Sequence, residues 1–201
     1  MKVIKLRDGK ERSLLRGHPW VFQGSIDKGK ADSGETVRVE AADGRFLAWA
    51  SYSPSSTIRV RAWSFDEAER IDTAFFRRRI EQSVALRERM PIDSDGIRLI
   101  HGEADGLPGL IVDRYRDILS AQFMSAGTER FKPVIADLLL EVTGLQRLYE
   151  RSDSGVRSLE GLEPLSGWLR GGGDTEVTIR EHDWRLTLDV AEGHKTGFYL
   201  D

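Results

Sequence analysis

Cysteine is absent from the 201-residue sequence. A disulfide framework, a cysteine-ligated zinc module and a cysteine nucleophile are thereby excluded within these residues. There is no apolar run near the length of a membrane-spanning helix, and the amino terminus lacks the apolar core of a secretory signal. The expectation is a cytoplasmic protein without membrane association. Histidine is scarce, and His18, His101, His182 and His194 are too far apart to make a close ligand pair, so no metal site is expected. No glycine-flanked nucleophile elbow, internal repeat or low-complexity segment is found either.

What the sequence does hold is charge, unevenly spread. Thirty basic and 33 acidic side chains give a formal charge of -3. Residues 1–65 carry 12 Lys/Arg against 7 Asp/Glu, whereas residues 66–201 carry 18 against 26. A basic front on an acidic remainder suits contact with a polyanion, most often nucleic acid, or a solvated basic face.

The front 65 residues alternate in short segments punctuated by Gly, Asp, Ser and Pro. Strands are predicted at Val3–Leu6, Val21–Ile26, Glu35–Glu40, Phe46–Tyr52 and Thr57–Phe65, with one short helix over Glu11–Arg16 ended by Gly17. Ala42-Asp43-Gly44 reads as a hairpin turn. Many short strands and one helix predict a small closed or nearly closed β-barrel. A connecting helix from about Asp66 to Met90 follows, with Ile71, Phe75, Ile80 and Val84 at helical spacing, Asp66 or Asp72 as cap and Pro91 beyond its end.

From Ile97 the pattern changes. Strands are predicted at Ile97–His101, Gly109–Tyr115 and Ile118–Met124, then a helix over Thr128–Thr143 capped by Thr128 and closed by Gly144, then strands at Arg147–Glu150, Glu176–Glu181 and Arg185–Val190. The predicted fold class is therefore mixed: a β-barrel followed by a small α+β unit. The boundaries are 1–66 for the barrel, 67–92 for the connecting helix, 93–190 for the central unit and 191–201 for the start of a further, truncated domain.

Several segments bear on function. The glycines between His101 and Gly109 precede a strand rather than a helix, which favours a tight turn over a phosphate cradle, and Gly171-Gly172-Gly173 reads as a flexible loop. Arg16-Gly17-His18-Pro19-Trp20-Val21-Phe22 turns from a helix into a strand and presents Arg16, His18 and Trp20 beside the basic barrel. Cations there can neutralise phosphates and an aromatic ring can stack on an unpaired base. Trp20 and Phe22 are also suited to a barrel core, where Phe22 is expected. Arg59 and Arg61 alternate with Ile58 and Val60 on one strand face, as phosphate contacts or as a solvated face. Arg151-Ser152-Asp153, Arg157 and Glu160-Gly161-Leu162 make either an exposed ion-paired loop or a polar pocket wall. Glu192 to Asp201 is Gly-bounded, polar and aromatic, and reads as a site loop or helix entry cut short.

Taken together, these residues resemble a known family. Arg16 to Phe22 on a small barrel resembles the start of a PUA domain, an RNA-binding module. Leu148-Tyr149-Glu150-Arg151-Ser152-Asp153, Glu160-Gly161-Leu162 and above all Gly193-His194-Lys195-Thr196-Gly197-Phe198-Tyr199-Leu200-Asp201 resemble the PUA-containing, S-adenosylmethionine-dependent ribosomal RNA large subunit methyltransferases of type I. The resemblance implies a PUA barrel and a central α+β domain ahead of a Rossmann-like methyltransferase domain missing from this sequence. It also implies methylation of cytosine C5 in 23S rRNA. That chemistry uses a thiolate added at C6, and no cysteine is available here, so no catalytic residue is expected in the chain and the fragment is expected to be inactive alone. Lys195, Thr196 and Phe198 match the stretch bordering the S-adenosylmethionine pocket and are carried as an incomplete cofactor site. Arg16, His18, Trp20, Arg59 and Arg61 are the RNA-contact candidates. Large-subunit rRNA is the implied partner, and the family often forms homodimers. A stand-alone RNA-binding module or a regulatory interaction protein without catalysis is the alternative reading.

Overall fold

The computed structural model describes residues 1–193. Its first sheet is built from β1 (Val3–Leu6), β2 (Trp20–Phe22), β3 (Ile26–Lys28), β4 (Thr36–Glu40), β5 (Phe46–Tyr52) and β6 (Ile58–Ser64), with the one-turn helix α1 (Arg12–Leu15) between β1 and β2. The strand order is β2-β6-β5-β4-β1-β3. Its two edge strands, β2 and β3, are joined by a single 3-10 turn over Gln23–Ser25. Edges held that close in sequence force the sheet to curl upon itself. Ile4, Leu6, Val37, Val39, Ala48, Ala50, Val60 and Ala62 fill the interior.

Two expectations in this region are corrected. The strand predicted over Val21–Ile26 is interrupted by that 3-10 turn. Phe22, expected in the core, is 49% exposed, while Val21 is buried. Alternation along an extended chain puts neighbours on opposite faces, and Val21 takes the inner one.

The chain then enters α2 (Thr73–Glu88). Its start lies later than Asp66 because the Asp72 carboxylate accepts from the Phe75 N–H at 3.0 Å, the bond that defines an N-cap. Next come β7 (Gly96–His101), β8 (Leu110–Tyr115), β9 (Ile118–Phe123), α3 (Ala126–Arg130), α4 (Lys132–Thr143), β10 (Arg147–Ser152), α5 (Val156–Leu159), β11 (Leu165–Arg170), β12 (Glu176–Glu181) and β13 (Trp184–Asp189). Strands β7 to β11 form one sheet in the order β11-β10-β9-β8-β7, and β12 pairs with β13 as a hairpin. Within this five-stranded sheet only β9 and β10 run parallel, with α3 and α4 as their crossover. Phe75, Phe76 and Ile80 of α2 and Ile135, Leu138 and Leu139 of α4 share one core with Leu110, Val112 and Phe123 of the sheet. The hairpin's Val177 and Ile179 cluster with Ile118.

The helix predicted over Thr128–Thr143 is in fact two. Ser125, not Thr128, is the cap of α3, and Thr128 completes a capping box with it. Pro133 sits in the first turn of α4. A proline has no N–H to give the preceding turn and its ring crowds the carbonyl four residues back, so a continuous helix through 133 is broken and restarted. Strand β11 was not anticipated. Its Gly167, at φ +146, interrupts the β-forming pattern that would have revealed it.

The two sheets meet along β6. Ala62 points into the barrel core while Trp63 belongs to the core beneath the second sheet. Helix α3 fits this junction closely: a Cβ on Gly127 would lie 2.5 Å from the Ser51 Cβ and 2.6 Å from the Trp63 ring. Gly34, at φ +73, faces the same helix, where a Cβ would come 2.8 Å from that of Arg130.

Candidate nucleic-acid interface

Helix α1 ends as its last turn bonds to the loop: Gly17 N–H donates to the Leu14 carbonyl at 2.8 Å and His18 N–H to Ser13 at 3.0 Å. Gly17 adopts φ +79, a left-handed exit natural to glycine. Arg16 and His18 are left exposed. The His18 Nδ1 accepts from the Trp20 N–H at 3.2 Å, and the two rings meet edge-on with centroids 5.5 Å apart. Trp20 itself turns inward. Its Nε1 donates to Glu103 Oε1 at 2.7 Å, and the Arg61 guanidinium stands over the ring at 5.5 Å.

Arg59 and Arg61 do not share an open face as expected. Between Val21 and Phe22 the β2–β6 register jumps from Val60 to Ile58, which leaves Arg59 as an extra residue. Such a bulge breaks alternation and re-aims the side chain. Arg61 is only 8% exposed. Its Nη2 lies 2.8 Å from Glu160 Oε1 and its Nη1 3.6 Å from Glu103 Oε1. Arg59 stays partly open, and its Nη1 donates to the Ser53 carbonyl at 3.1 Å and to that of Pro54. It borders an open groove on the barrel together with Arg7 and Lys30.

The sequence-predicted residues therefore fall into three places. His18, Trp20 and Arg61 gather with Glu103 and Glu160 at the sheet junction, while Arg59 faces the groove and Arg16 stands on the surface. The pairings of Trp20 with Glu103 and of Arg61 with Glu160 were not legible because the partners are 83 and 99 residues apart. Arg7 had a signal: Ile4 and Leu6 face inward, so Lys5 and Arg7 fall on the outer side.

The segment around Arg151 to Glu160 is not an exposed ion-paired loop. Arg157 is 1% exposed and is bound by Glu129 Oε2 at 2.8 Å, the Glu163 carbonyl at 2.8 Å and the Phe123 carbonyl. The Ser152 hydroxyl accepts from the Phe123 N–H at 2.9 Å, and Arg151 Nη1 donates to the Val190 and Gly193 carbonyls at 2.9 and 2.8 Å. Glu160 accepts from the Ala126 N–H at 3.2 Å. Burial pushes the Glu160 carboxyl up, but the Arg61 charge and the hydrogen bonds from Ser56, Arg61 and Ala126 outweigh it and hold the group below the usual glutamate range.

Ligands of α/β sheets bind beyond the carboxyl ends of parallel strands. Here that end of the β9–β10 pair is closed by Ser152 and Arg157 on Phe123. Lys195, Thr196 and Phe198 lie outside the described residues. The glycines between Gly102 and Gly109 form the expected turn, as a 3-10 segment over Gly102–Asp105. Among the described residues there is no cluster of metal-ligating side chains, and no helix is long and apolar enough to cross a membrane.

Residues 4–65 match the model of the PUA-like domain family. Across 98% of its length the chain is 45% identical to a ribosomal RNA large subunit methyltransferase I of Aliivibrio fischeri. It is 44% identical to the protein of that name from Pseudoalteromonas translucida and 46% identical to that of Vibrio vulnificus, over 99% of the chain in each case. The chain spans about half the length of these relatives, 51 to 52%. Among solved structures, a candidate SAM-dependent methyltransferase of Streptococcus mutans superposes with a TM-score of 0.81 at 17% identity, covering 100% of this chain and 52% of that one. A second candidate methyltransferase, solved in complex with SAH, gives 0.80 at 16% identity, covering 96% of this chain and 49% of that one. At such identities the likeness is one of fold.

Proposed function

We propose, on the premise that this chain belongs to the ribosomal RNA large subunit methyltransferase I family, that it is the RNA-holding part of a cytoplasmic S-adenosylmethionine-dependent methyltransferase of 23S rRNA cytosine C5. The observation that carries this reading is the 45% identity to a relative so named across 98% of the chain, matched to about half of that relative. In this reading residues 1–66 are the RNA-binding barrel, 67–92 the connecting helix, 93–190 a central unit, and 191–201 the beginning of a Rossmann-like catalytic domain. Arg16, His18 and Arg59 are its phosphate contacts. Arg61 and Trp20 serve by fixing the barrel against the central unit. Lys195, Thr196 and Phe198 border the cofactor in the complete enzyme. The cofactor would supply an electrophilic methyl group when bound.

The absence of cysteine leaves no thiolate to activate cytosine by the usual route, so the chain binds RNA without transferring methyl groups. The test is to incubate the chain, and separately a chain extended to the full length of the relatives, with unmodified 23S rRNA and methyl-labelled S-adenosylmethionine. The expected result is 5-methylcytosine from the extended protein only. Methyl transfer by the 201-residue chain would overturn the assignment of inactivity, and transfer to a base other than cytosine would overturn the substrate.

A further inference from the structure

We propose that the groove between Arg7, Lys30 and Arg59 is a binding site for the phosphate backbone of a single RNA strand. This rests on the reading of the chain as RNA-binding and adds where the strand lies. The groove measures about 720 Å³ and draws its walls from separate parts of the barrel: Arg7, Gln23, Gly24, Lys30, Pro54 and Arg59. No carboxylate lines it.

Its two arginines are held by neutral acceptors. Arg38, Arg61, Arg77, Arg87, Arg98 and Arg157 all hold carboxylates within 3.0 Å. Arg7 instead donates its Nε to the Ile26 carbonyl at 3.1 Å, and Arg59 binds the Ser53 and Pro54 carbonyls. Neutral acceptors fix each guanidinium without cancelling its charge. The remaining N–H groups of each fork are of the kind that binds phosphate oxygens in a planar, bidentate way. Lys30 is exposed beside them. Lys5 and Lys28 stand opposite each other on β1 and β3, but Lys5 has Glu40 of β4 on its other side, so this pair is already balanced within the sheet and lies outside the groove's lining.

Gly24 supplies a second, independent observation. Its backbone has no left-handed φ, and a Cβ built on it meets nothing within 4 Å. Neither conformation nor packing within the chain calls for glycine there. What the missing side chain keeps open is the groove. A strand whose phosphates pass the three cations would have its backbone against Gly24, and the concave floor suits one strand better than the convex face of a duplex.

The experiment measures binding of a fluorescein-labelled 12-nucleotide single-stranded RNA by anisotropy across a salt series. It compares the chain with the triple variant R7Q/K30Q/R59Q and with Gly24→Leu, each checked by thermal melting. Removing three phosphate contacts should weaken binding at least about tenfold near 0.1 M salt and flatten the log–log salt slope by roughly 2. Gly24→Leu, which removes no charge, should weaken binding with an unchanged melting temperature. If the triple variant does not fold, Gly24→Leu alone decides. Loss in the triple but not in Gly24→Leu would spread the contact over surface charge and overturn the groove, as would no loss in either. A chain that binds no RNA at any salt would overturn the RNA reading itself.

Discussion

Arg61 and Glu160, 99 residues apart in the sequence, meet at 2.8 Å in the seam between the barrel and the second sheet. Both are nearly out of water, at 8% and 2% exposed. Trp20 and Glu103 join them, and Glu160 in turn takes the first N–H of α3. A charge pair so buried holds one arrangement rather than many, because either ion alone in that seam is poorly solvated.

Removing one partner should therefore be costly. Glu160→Ala leaves the Arg61 guanidinium with only the longer contact to Glu103 at 3.6 Å, and a loss of about 3 kcal/mol, the low end for a broken buried pair, is expected in urea unfolding. The double variant R61M/E160L should recover most of it, because apolar groups of similar size need no counter-charge. Equal losses in the single and double variants would show that shape, not charge, holds the seam.

The same carboxylate sets a pH dependence. The Glu160 carboxyl in the folded chain lies below its ordinary 4.5. A depressed carboxyl contributes stability that is present above the unfolded value and is lost as pH falls through the folded one. Wild-type unfolding free energy should thus decline below about 4.5, and Glu160→Gln should show a shallower decline over the same range. Parallel curves for the two proteins would remove Glu160 from the acid response.

Trp20 separates joint from RNA contact. Its indole N–H and one ring face are engaged by Glu103 and Arg61, which leaves little for a nucleobase. Trp20→Phe should cost about 1 kcal/mol in stability through the lost hydrogen bond, while single-stranded RNA affinity stays within about threefold, a shift smaller than one stacked base supplies. A tenfold loss of affinity at unchanged stability would return Trp20 to the RNA face.

The legible parts of this fold are those written in local pattern. Phe46–Tyr52, an apolar run following the Asp43-Gly44 turn, forms β5 over those same residues, Gly144 closes α4 with φ +69, and Asp72 caps α2. Positions set by distant partners were not legible. The outer face of β6 looked free because nothing near Arg61 in sequence announces Glu160. Phe22 looked like core because apolar character does not say which face a three-residue strand presents. Of the candidate site, the exposure of Arg16 and the basic character of the barrel could be read from the chain, whereas the groove needed Arg7, Lys30 and Arg59 to be folded together.

The fit of α3 against the barrel yields the last prediction. Gly127 lies in a helix where alanine is favoured by propensity, by about 1 kcal/mol in an exposed interior. Here the added methyl would meet Ser51 and the Trp63 ring at 2.5 and 2.6 Å, inside van der Waals contact. Because both neighbours are buried in packed cores, neither can withdraw freely, and overpacking of this kind costs about 1–3 kcal/mol. Gly127→Ala should therefore lower the melting temperature despite the better helix former, and Trp63 fluorescence should shift as the seam opens. Gly172→Ala, at a loop site where a Cβ meets nothing within 4 Å and φ is not left-handed, is the control and should leave both unchanged. Stabilisation by Gly127→Ala would mean that α3 does not lie this close to β5 in solution.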